Sequence, residues 1–143
     1  MPNLLPRILD FLLMAGAAAL YGGCLTASLT TGTLGWALPV APYVYGTRDF
    51  YLDAVVAGLA GLALLVLVER IGAVRGSAVL RALAFFAATL VALCLAPPSP
   101  QVFGNTWAAG EAFSELFLAQ WRLVLPIALT ALVLRTLLRR TRH

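Results

Sequence analysis

The chain has 143 residues, of which 62% are hydrophobic and only 11% are charged, and its formal net charge is +4. Soluble domains average about 45–50% apolar and about 25% charged residues, so the composition excludes an ordinary soluble domain. The length allows one domain. We therefore expect residues 1–143 to form a single integral membrane domain.

Four apolar segments follow one another along the chain, at about residues 11–29, 52–68, 79–96 and 116–134. Each approaches the roughly 20 residues that a helix needs to cross about 30 Å of hydrocarbon. In lipid, the backbone polar groups must be satisfied within the segment itself, which favours helices over open strands. The sequence therefore predicts an all-α fold, a bundle of four transmembrane helices.

The connection before the last apolar segment is long, and residues 107–121 in its second half have a helical pattern. Asn105 or Thr106 is suited to cap such a helix, and Glu111 suits its first turn, where the helix dipole favours negative charge. We expect a short amphipathic helix on the external membrane surface, directly before the last span.

Arginines are distributed unevenly between the two predicted sides of the membrane. One side carries eight of them, Arg7, Arg70, Arg75, Arg81, Arg135, Arg139, Arg140 and Arg142, and the other carries Arg48 and Arg122. The positive-inside rule places the arginine-rich side in the cytoplasm. We therefore predict a multi-pass protein of a prokaryotic inner (cytoplasmic) membrane with both termini inside. Anionic lipids at the cytoplasmic face are expected partners of the basic C-terminal tail, and nucleic acid is not.

Small residues recur at helical spacing in three of the four apolar segments. The pattern comprises Ala15, Ala19, Gly23 and Ala27 in the first, Gly58 and Gly61 in the second, and Ala84, Ala88 and Ala92 in the third. Small side chains let the backbones of membrane helices approach closely. These positions are predicted helix-packing sites, and the partner helix is either in this chain or in another protein.

Arg122 is the charged residue that the predicted topology explains least. It lies 13 residues before Arg135, a distance of about 20 Å along a helix. Arg122 is then either inside the hydrocarbon, where an arginine indicates a functional site, or at the outer headgroups, where its side chain snorkels. An ion pair with Glu115 or Asp53 is a third possibility. Arg122, Gln120, Glu115 and Asp53 form the candidate polar site.

Other residue types that carry chemistry are scarce. Asp10, at the start of the first segment, is expected to pair with Arg7, and the interiors of the segments contain no acid, which argues against proton-driven exchange by this chain alone. Cys24 and Cys94 have the pattern of packing residues. The sequence shows no cysteine framework, catalytic set or phosphate-binding motif. We expect no catalytic residue, no metal site and no cofactor.

These features favour a non-catalytic accessory or structural subunit that packs through its transmembrane helices in a larger membrane protein complex. Its partners would be other membrane protein subunits, and a homo-oligomer is also compatible with the pattern. The alternative is a small transporter or channel component with a polar path near Arg122 and the external acids. An enzyme that acts on a lipid or isoprenoid substrate is a third, weaker hypothesis.

Overall fold

The computed structural model describes residues 4–39, 41, 43, 45–104 and 106–141. In that part of the chain all regular secondary structure is helical and no strand forms, which confirms the all-α prediction. The α-helices are α1 (Leu4–Thr31), α2 (Thr47–Val68), α3 (Gly72–Gly76), α4 (Ala78–Cys94), α5 (Glu111–Leu116) and α6 (Trp121–Arg140). Short 3-10 helices form at Pro100–Val102 and Leu118–Gln120.

Within the described residues, three helical segments are long and apolar enough to cross a membrane: Leu4–Thr31, Thr47–Val68 and Glu111–Arg140. Helix α4 is also apolar, but it contains 17 residues, or about 25 Å at 1.5 Å per residue. That length is slightly below the roughly 30 Å of a hydrocarbon core. The structure therefore supports a membrane protein with three helices of spanning length, where the sequence predicts four spans.

The long helices pack side by side. Helix α1 contacts α2, α4 and α6, and α4 also contacts α2 and α6. Large side chains such as Met14, Tyr21 and Phe85 are fully or almost fully buried between them. The outward faces remain apolar, with large exposed side chains that include Leu12 and Leu129. Such an apolar exterior is unusual for a soluble monomer and matches a hydrocarbon surrounding.

The helices extend beyond the predicted apolar segments. Helix α1 begins at Leu4 rather than at residue 11, and its first turns carry Arg7 and Asp10, whose side chains form ion pairs with Glu69 and Arg135. Helix α2 begins at Thr47. At this end the carboxylate of Asp49 accepts a hydrogen bond from the N–H of Gly46, the N-cap residue (2.9 Å). Helix α6 runs from Trp121 to Arg140, displaced toward the C-terminus from the predicted segment 116–134.

The amphipathic helix predicted over residues 107–121 is shorter in the structure. Helix α5 covers only Glu111–Leu116, preceded by Gly110 with a left-handed φ of 77° and followed by Phe117 with φ −126° and ψ −61°. These two backbone conformations interrupt a continuous helix. Gly110 rather than Thr106 occupies the N-cap position, so that part of the prediction is wrong. Asn105, Arg142 and His143 lie outside the described residues.

Candidate functional site

Four helices bring charged side chains together at one end of the molecule. This end, which we call the basic end, contains the start of α1, the end of α2, helix α3, the start of α4 and the end of α6. Ion pairs connect Arg7 and Asp10 on α1 with Glu69 after α2 and with Arg135 on α6. Nη1 of Arg135 also donates to the backbone carbonyl of Arg81 on α4 (3.5 Å). Consecutive long helices therefore run in alternating directions.

Asp10 and Arg135 form the centre of this arrangement. Asp10 is fully buried, and Arg135 is 5% exposed. The Nε of Arg135 donates to Oδ1 of Asp10 (2.8 Å), and its Nη2 donates to Oδ2 (3.3 Å). This two-point geometry suits the planar guanidinium. Because removing one partner of a buried ion pair costs about 3–5 kcal/mol, this pair strongly favours one packing of α1 against α6.

Further contacts extend the pair into a charge network of Arg7, Asp10, Glu69, Arg135 and Arg139. The Nη2 of Arg139 lies 3.0 Å from Oδ2 of Asp10. Glu69 pairs with Arg7 and lies 3.5 Å from Nη2 of Arg135. The network contains three arginines and two carboxylates, so its formal charge is positive. The guanidinium of Arg135 also lies 4.5 Å from the ring centroid of Phe85, where cation–π attraction adds to its stabilisation.

The charge network opens into a cleft of about 490 Å³ at the basic end. We call it the basic cleft. Its charged lining consists of five arginines and one acid: Arg7, Arg70, Arg75, Arg81, Arg139 and Glu69. No described carboxylate lies within 4 Å of Arg70, Arg75 or Arg81. The cleft therefore concentrates cationic groups that the described part of the chain does not neutralise.

Two polar atoms at this cleft are buried and have no hydrogen-bond partner among the described residues. They are Nη1 of Arg7 and Nε of Arg139. Nη1 of Arg7 is 3.9 Å from Oδ2 of Asp10, which is too far for a hydrogen bond. A buried donor without a partner costs about 1–3 kcal/mol, and more when it is charged. Both atoms belong to arginines whose side chains line the cleft.

The expected pairing of Asp10 with Arg7 is thus only the weakest of the contacts that Asp10 makes. From the sequence, Arg135 is predicted only to be one of the arginines on the cytoplasmic side, and its role as the main partner of Asp10 was missed. A signal was present, because an acid near the start of the first apolar segment and an arginine near the end of the last one are at similar depth in the predicted topology.

A second cavity, of about 350 Å³, lies at the opposite end of the molecule beneath α5. Tyr21, Asp53, Cys94 and Phe117 are among its lining residues. The hydroxyl of Tyr21 donates to the carbonyl of Leu116, which ties α1 to the end of α5. The cavity is mainly apolar, with Asp53 as its charged group.

Asp53 has its own hydrogen-bond partner near this cavity. The hydroxyl of Tyr45 donates to Oδ2 of Asp53 (2.5 Å). Partial burial raises the pKa of Tyr45 above the ordinary phenol value, and the hydrogen bond to the Asp53 carboxylate raises this pKa further. The protonated phenol of Tyr45 serves as a donor that holds the α1–α2 connection against α2.

The predicted polar site of Arg122, Gln120, Glu115 and Asp53 is not assembled through ion pairs. Arg122 is exposed and lies 5.6 Å from the ring centroid of Trp121. Among the described residues it makes no ion pair with Glu115 or Asp53, which was the third of the possibilities that the sequence left open. The side chain of Gln120 donates to the backbone carbonyl of Glu115 (3.4 Å), and Asp53 bonds to Tyr45 instead.

The predicted packing residues lie mainly against other parts of this chain. A Cβ added at Gly58 would be 2.7 Å from Cβ of Ala15, and one added at Gly61 would be 2.8 Å from the sulfur of Met14. Gly23 lies against the indole of Trp36. The other members of the pattern are buried, apart from Ala19, which is half-buried: Ala27, Ala84, Ala88 and Ala92.

No group of three or more His, Cys, Asp or Glu side chains in the described ranges is arranged to hold a metal ion. Cys24 and Cys94 are free thiols. Comparison of the chain with protein-family models, with curated proteins and with solved structures finds no match.

Proposed function

We propose that the chain is an integral protein of a prokaryotic inner membrane with four spans, α1, α2, α4 and the α5–α6 segment. The packing of α4 against α1, α2 and α6 supports its inclusion, because a helix that contacts all three lies in the same layer. The surplus of arginines at the basic end favours a cytoplasmic position for that end. In this arrangement α5 lies on the external side.

We further propose that the protein is a non-catalytic accessory subunit that packs in the membrane against a larger protein complex. The observation that carries this proposal is a surface groove between α1 and α6, which we call the α1–α6 groove. It has a volume of about 300 Å³ and a nearly apolar lining: Leu12, Leu13, Gly16, Ala17, Leu20, Pro126, Ile127, Thr130, Ala131 and Leu134.

Gly16 distinguishes this groove from an ordinary lipid-facing surface. Helices α1 and α2 contain five glycines, and four of them, Gly22, Gly23, Gly58 and Gly61, are in close contact with other parts of the chain. A Cβ added at Gly16 would meet nothing within 4 Å. A glycine inside a helix costs about 1 kcal/mol relative to alanine, and no contact within the chain offsets that cost at Gly16.

A transmembrane helix of a partner protein is the neighbour that best fits Gly16. Close approach of helix backbones in lipid requires small residues at the contact, and Ala17 and Ala131 lie beside Gly16 in the groove. An acyl chain is flexible and does not require a glycine. The α5–α6 segment also has surface to offer, because only 17% of its most apolar 18-residue stretch is buried in the chain, against 44% for that of α1.

The proposal predicts that Gly16→Leu abolishes co-purification of a partner. The leucine would fill the groove and exclude a second helix, while its Cβ meets no atom of its own chain within 4 Å. The measurement is purification of the tagged protein in a mild detergent, followed by quantification of stoichiometric membrane proteins. Ala87→Leu is the matched control, because Ala87 is an exposed alanine on α4 outside the groove. Equal partner recovery with both variants would contradict the proposal.

A small transporter or channel component is the second candidate, and the cavity beneath α5 favours it. The carboxylate of Asp53 lines that cavity, and a path for a cation would require such a negatively charged group. Arg122 contributes no ion pair to this region, which weakens the original form of the hypothesis. The same purification separates the two functions, since a homo-oligomer without partners would favour transport over the accessory role.

A further inference from the structure

In the basic cleft, arginines from several helices line one concavity, and the distribution of arginine between the two membrane sides does not explain this convergence. The positive-inside rule concerns the loops in which arginines lie, and arginines spread over the loops would satisfy it equally well. Here Arg7 from α1, Arg75 from α3 and Arg139 from α6 converge on one concavity. Its volume of about 490 Å³ is in the range of roughly 300–1,000 Å³ that is typical of ligand sites.

We propose that the basic cleft binds a phosphate group, supplied either by the headgroup of an anionic phospholipid or by a soluble phosphorylated ligand. Five arginines line the cleft, and the side chains of Arg7 and Arg139 are partly exposed there. Phosphate oxygens are strong acceptors for arginine N–H groups. The proposal does not depend on a protein partner in the α1–α6 groove.

The charge balance of the cleft favours an anion over a neutral acceptor such as water. The charge network already uses both of its carboxylates, Asp10 and Glu69, on Arg7, Arg135 and Arg139. Arg70, Arg75 and Arg81 add three further cations to the lining without a described acid within 4 Å. One phosphate reduces the mutual repulsion of these guanidinium groups and offers several oxygens at once.

Arginine is also the appropriate residue for this ligand. Its planar guanidinium binds phosphate at two points, and it stays charged at any physiological pH. Basic pockets between transmembrane helices on the cytoplasmic side are a general means of binding anionic headgroups. The cleft lies at the end of the molecule that we propose faces the cytoplasm, which is where such headgroups are available.

The test measures binding to the detergent-purified full chain with three probes: short-chain phosphatidylglycerol, short-chain phosphatidylcholine and inorganic phosphate. We expect binding of phosphatidylglycerol, of phosphate, or of both, and at least about tenfold weaker binding to Arg75→Gln. The matched control is Arg140→Gln, which removes one exposed arginine outside the cleft lining and should weaken binding by no more than about threefold.

Each result decides a part of the proposal. Binding of phosphatidylglycerol but not of phosphate assigns the site to a lipid headgroup, and binding of inorganic phosphate with the same dependence on Arg75 assigns it to a soluble ligand. Equal affinity for phosphatidylglycerol and phosphatidylcholine in the absence of phosphate binding would overturn the proposal. Equal losses in Arg75→Gln and Arg140→Gln would also overturn it, because they indicate diffuse attraction to a basic surface.

Discussion

At the scale of single residues, Arg135 has the largest effect on how the helices pack. Its guanidinium is buried, forms two hydrogen bonds to Asp10, lies near Glu69 and covers the ring of Phe85. It therefore joins α6 to α1, to the end of α2 and to α4. A buried charge with this many partners is stable only while its counter-charges remain in place.

We predict that Asp10→Asn lowers the free energy of unfolding by about 3–5 kcal/mol, because it leaves Arg135 buried without its closest carboxylate. Thermal unfolding in detergent measures the effect. The double variant Asp10→Leu with Arg135→Met should recover most of the lost stability, since apolar pairs often replace buried ion pairs without loss. A double variant less stable than Asp10→Asn would contradict this explanation. It would show that the ion pair itself stabilises the folded protein, beyond preventing an unpaired buried charge.

Arg122 shows how far residue-level prediction from the sequence reached. The sequence left three placements open for Arg122, and in the structure it is exposed beside the Trp121 ring, so that its position relative to the membrane stays a prediction. The charge network was not predicted as a whole, because helical periodicity identifies the face of one helix and contains no information about which faces of distant helices meet. Asp10 and Arg135 are separated by 125 positions.

At the scale of helices, small residues determine how closely α1 and α2 approach. Gly58 on α2 lies against Ala15 on α1, and Gly61 lies against Met14, close also to Ala88 and Ala92 on α4. The sequence pattern identified these positions but left the partner open. Their contacts are inside the chain, whereas Gly16, which was outside the predicted pattern, is the glycine of α1 with free space beside it.

We predict opposite effects of alanine at Gly58 and at Gly16. Gly58→Ala places a methyl group 2.7 Å from Cβ of Ala15, and overpacking of this kind costs about 1–3 kcal/mol. This cost exceeds the roughly 1 kcal/mol that alanine gains in helix propensity, so the melting temperature falls. Gly16→Ala meets no atom and gains the propensity term, so its melting temperature rises. A similar change in both variants would show that Gly58 is not a close contact.

Helix positions were more predictable than helix ends. Apolar periodicity located α1, α2, α4 and α6 because hydrophobicity and helical hydrogen bonding act along the local chain. The ends depend on individual backbone and side-chain interactions, such as the left-handed Gly110 before α5 and the Asp49 carboxylate before α2. A pattern of residue types indicates that such interactions are available but does not establish which of them form.

At the scale of the whole molecule, charge is separated between two ends. The basic end holds Arg70, Arg75 and Arg81 around the basic cleft, whereas the opposite end holds Asp49, Asp53, Glu111 and Glu115. The connection between α1 and α2 and the segment between α4 and α6 both lie at the opposite end, because the long helices alternate in direction. The surplus of arginines at the basic end is the physical basis for the proposed orientation.

The four-span arrangement predicts the result of a reporter-fusion experiment. Reporters fused after Gly76 and at the C-terminus should read as cytoplasmic, and reporters within residues 39–47 and 99–106 should read as external. The 99–106 fusion is decisive because it tests whether the 17-residue helix α4 crosses the bilayer. A cytoplasmic signal at 99–106 would leave α4 as a helix that does not span, and the four-span proposal would fail.

The pairing of Asp10 with Arg135 also has a consequence for the order in which the protein is made. At about 5–20 residues per second, the ribosome needs roughly 6–25 s to extend the chain from Asp10 to Arg135. Throughout that time α1 carries a carboxylate whose main counter-charge has not yet been synthesised. The contact between Asp10 and Arg135 therefore forms only after α6 has been synthesised, and a chain that stops before α6 lacks the closest counter-charge of Asp10.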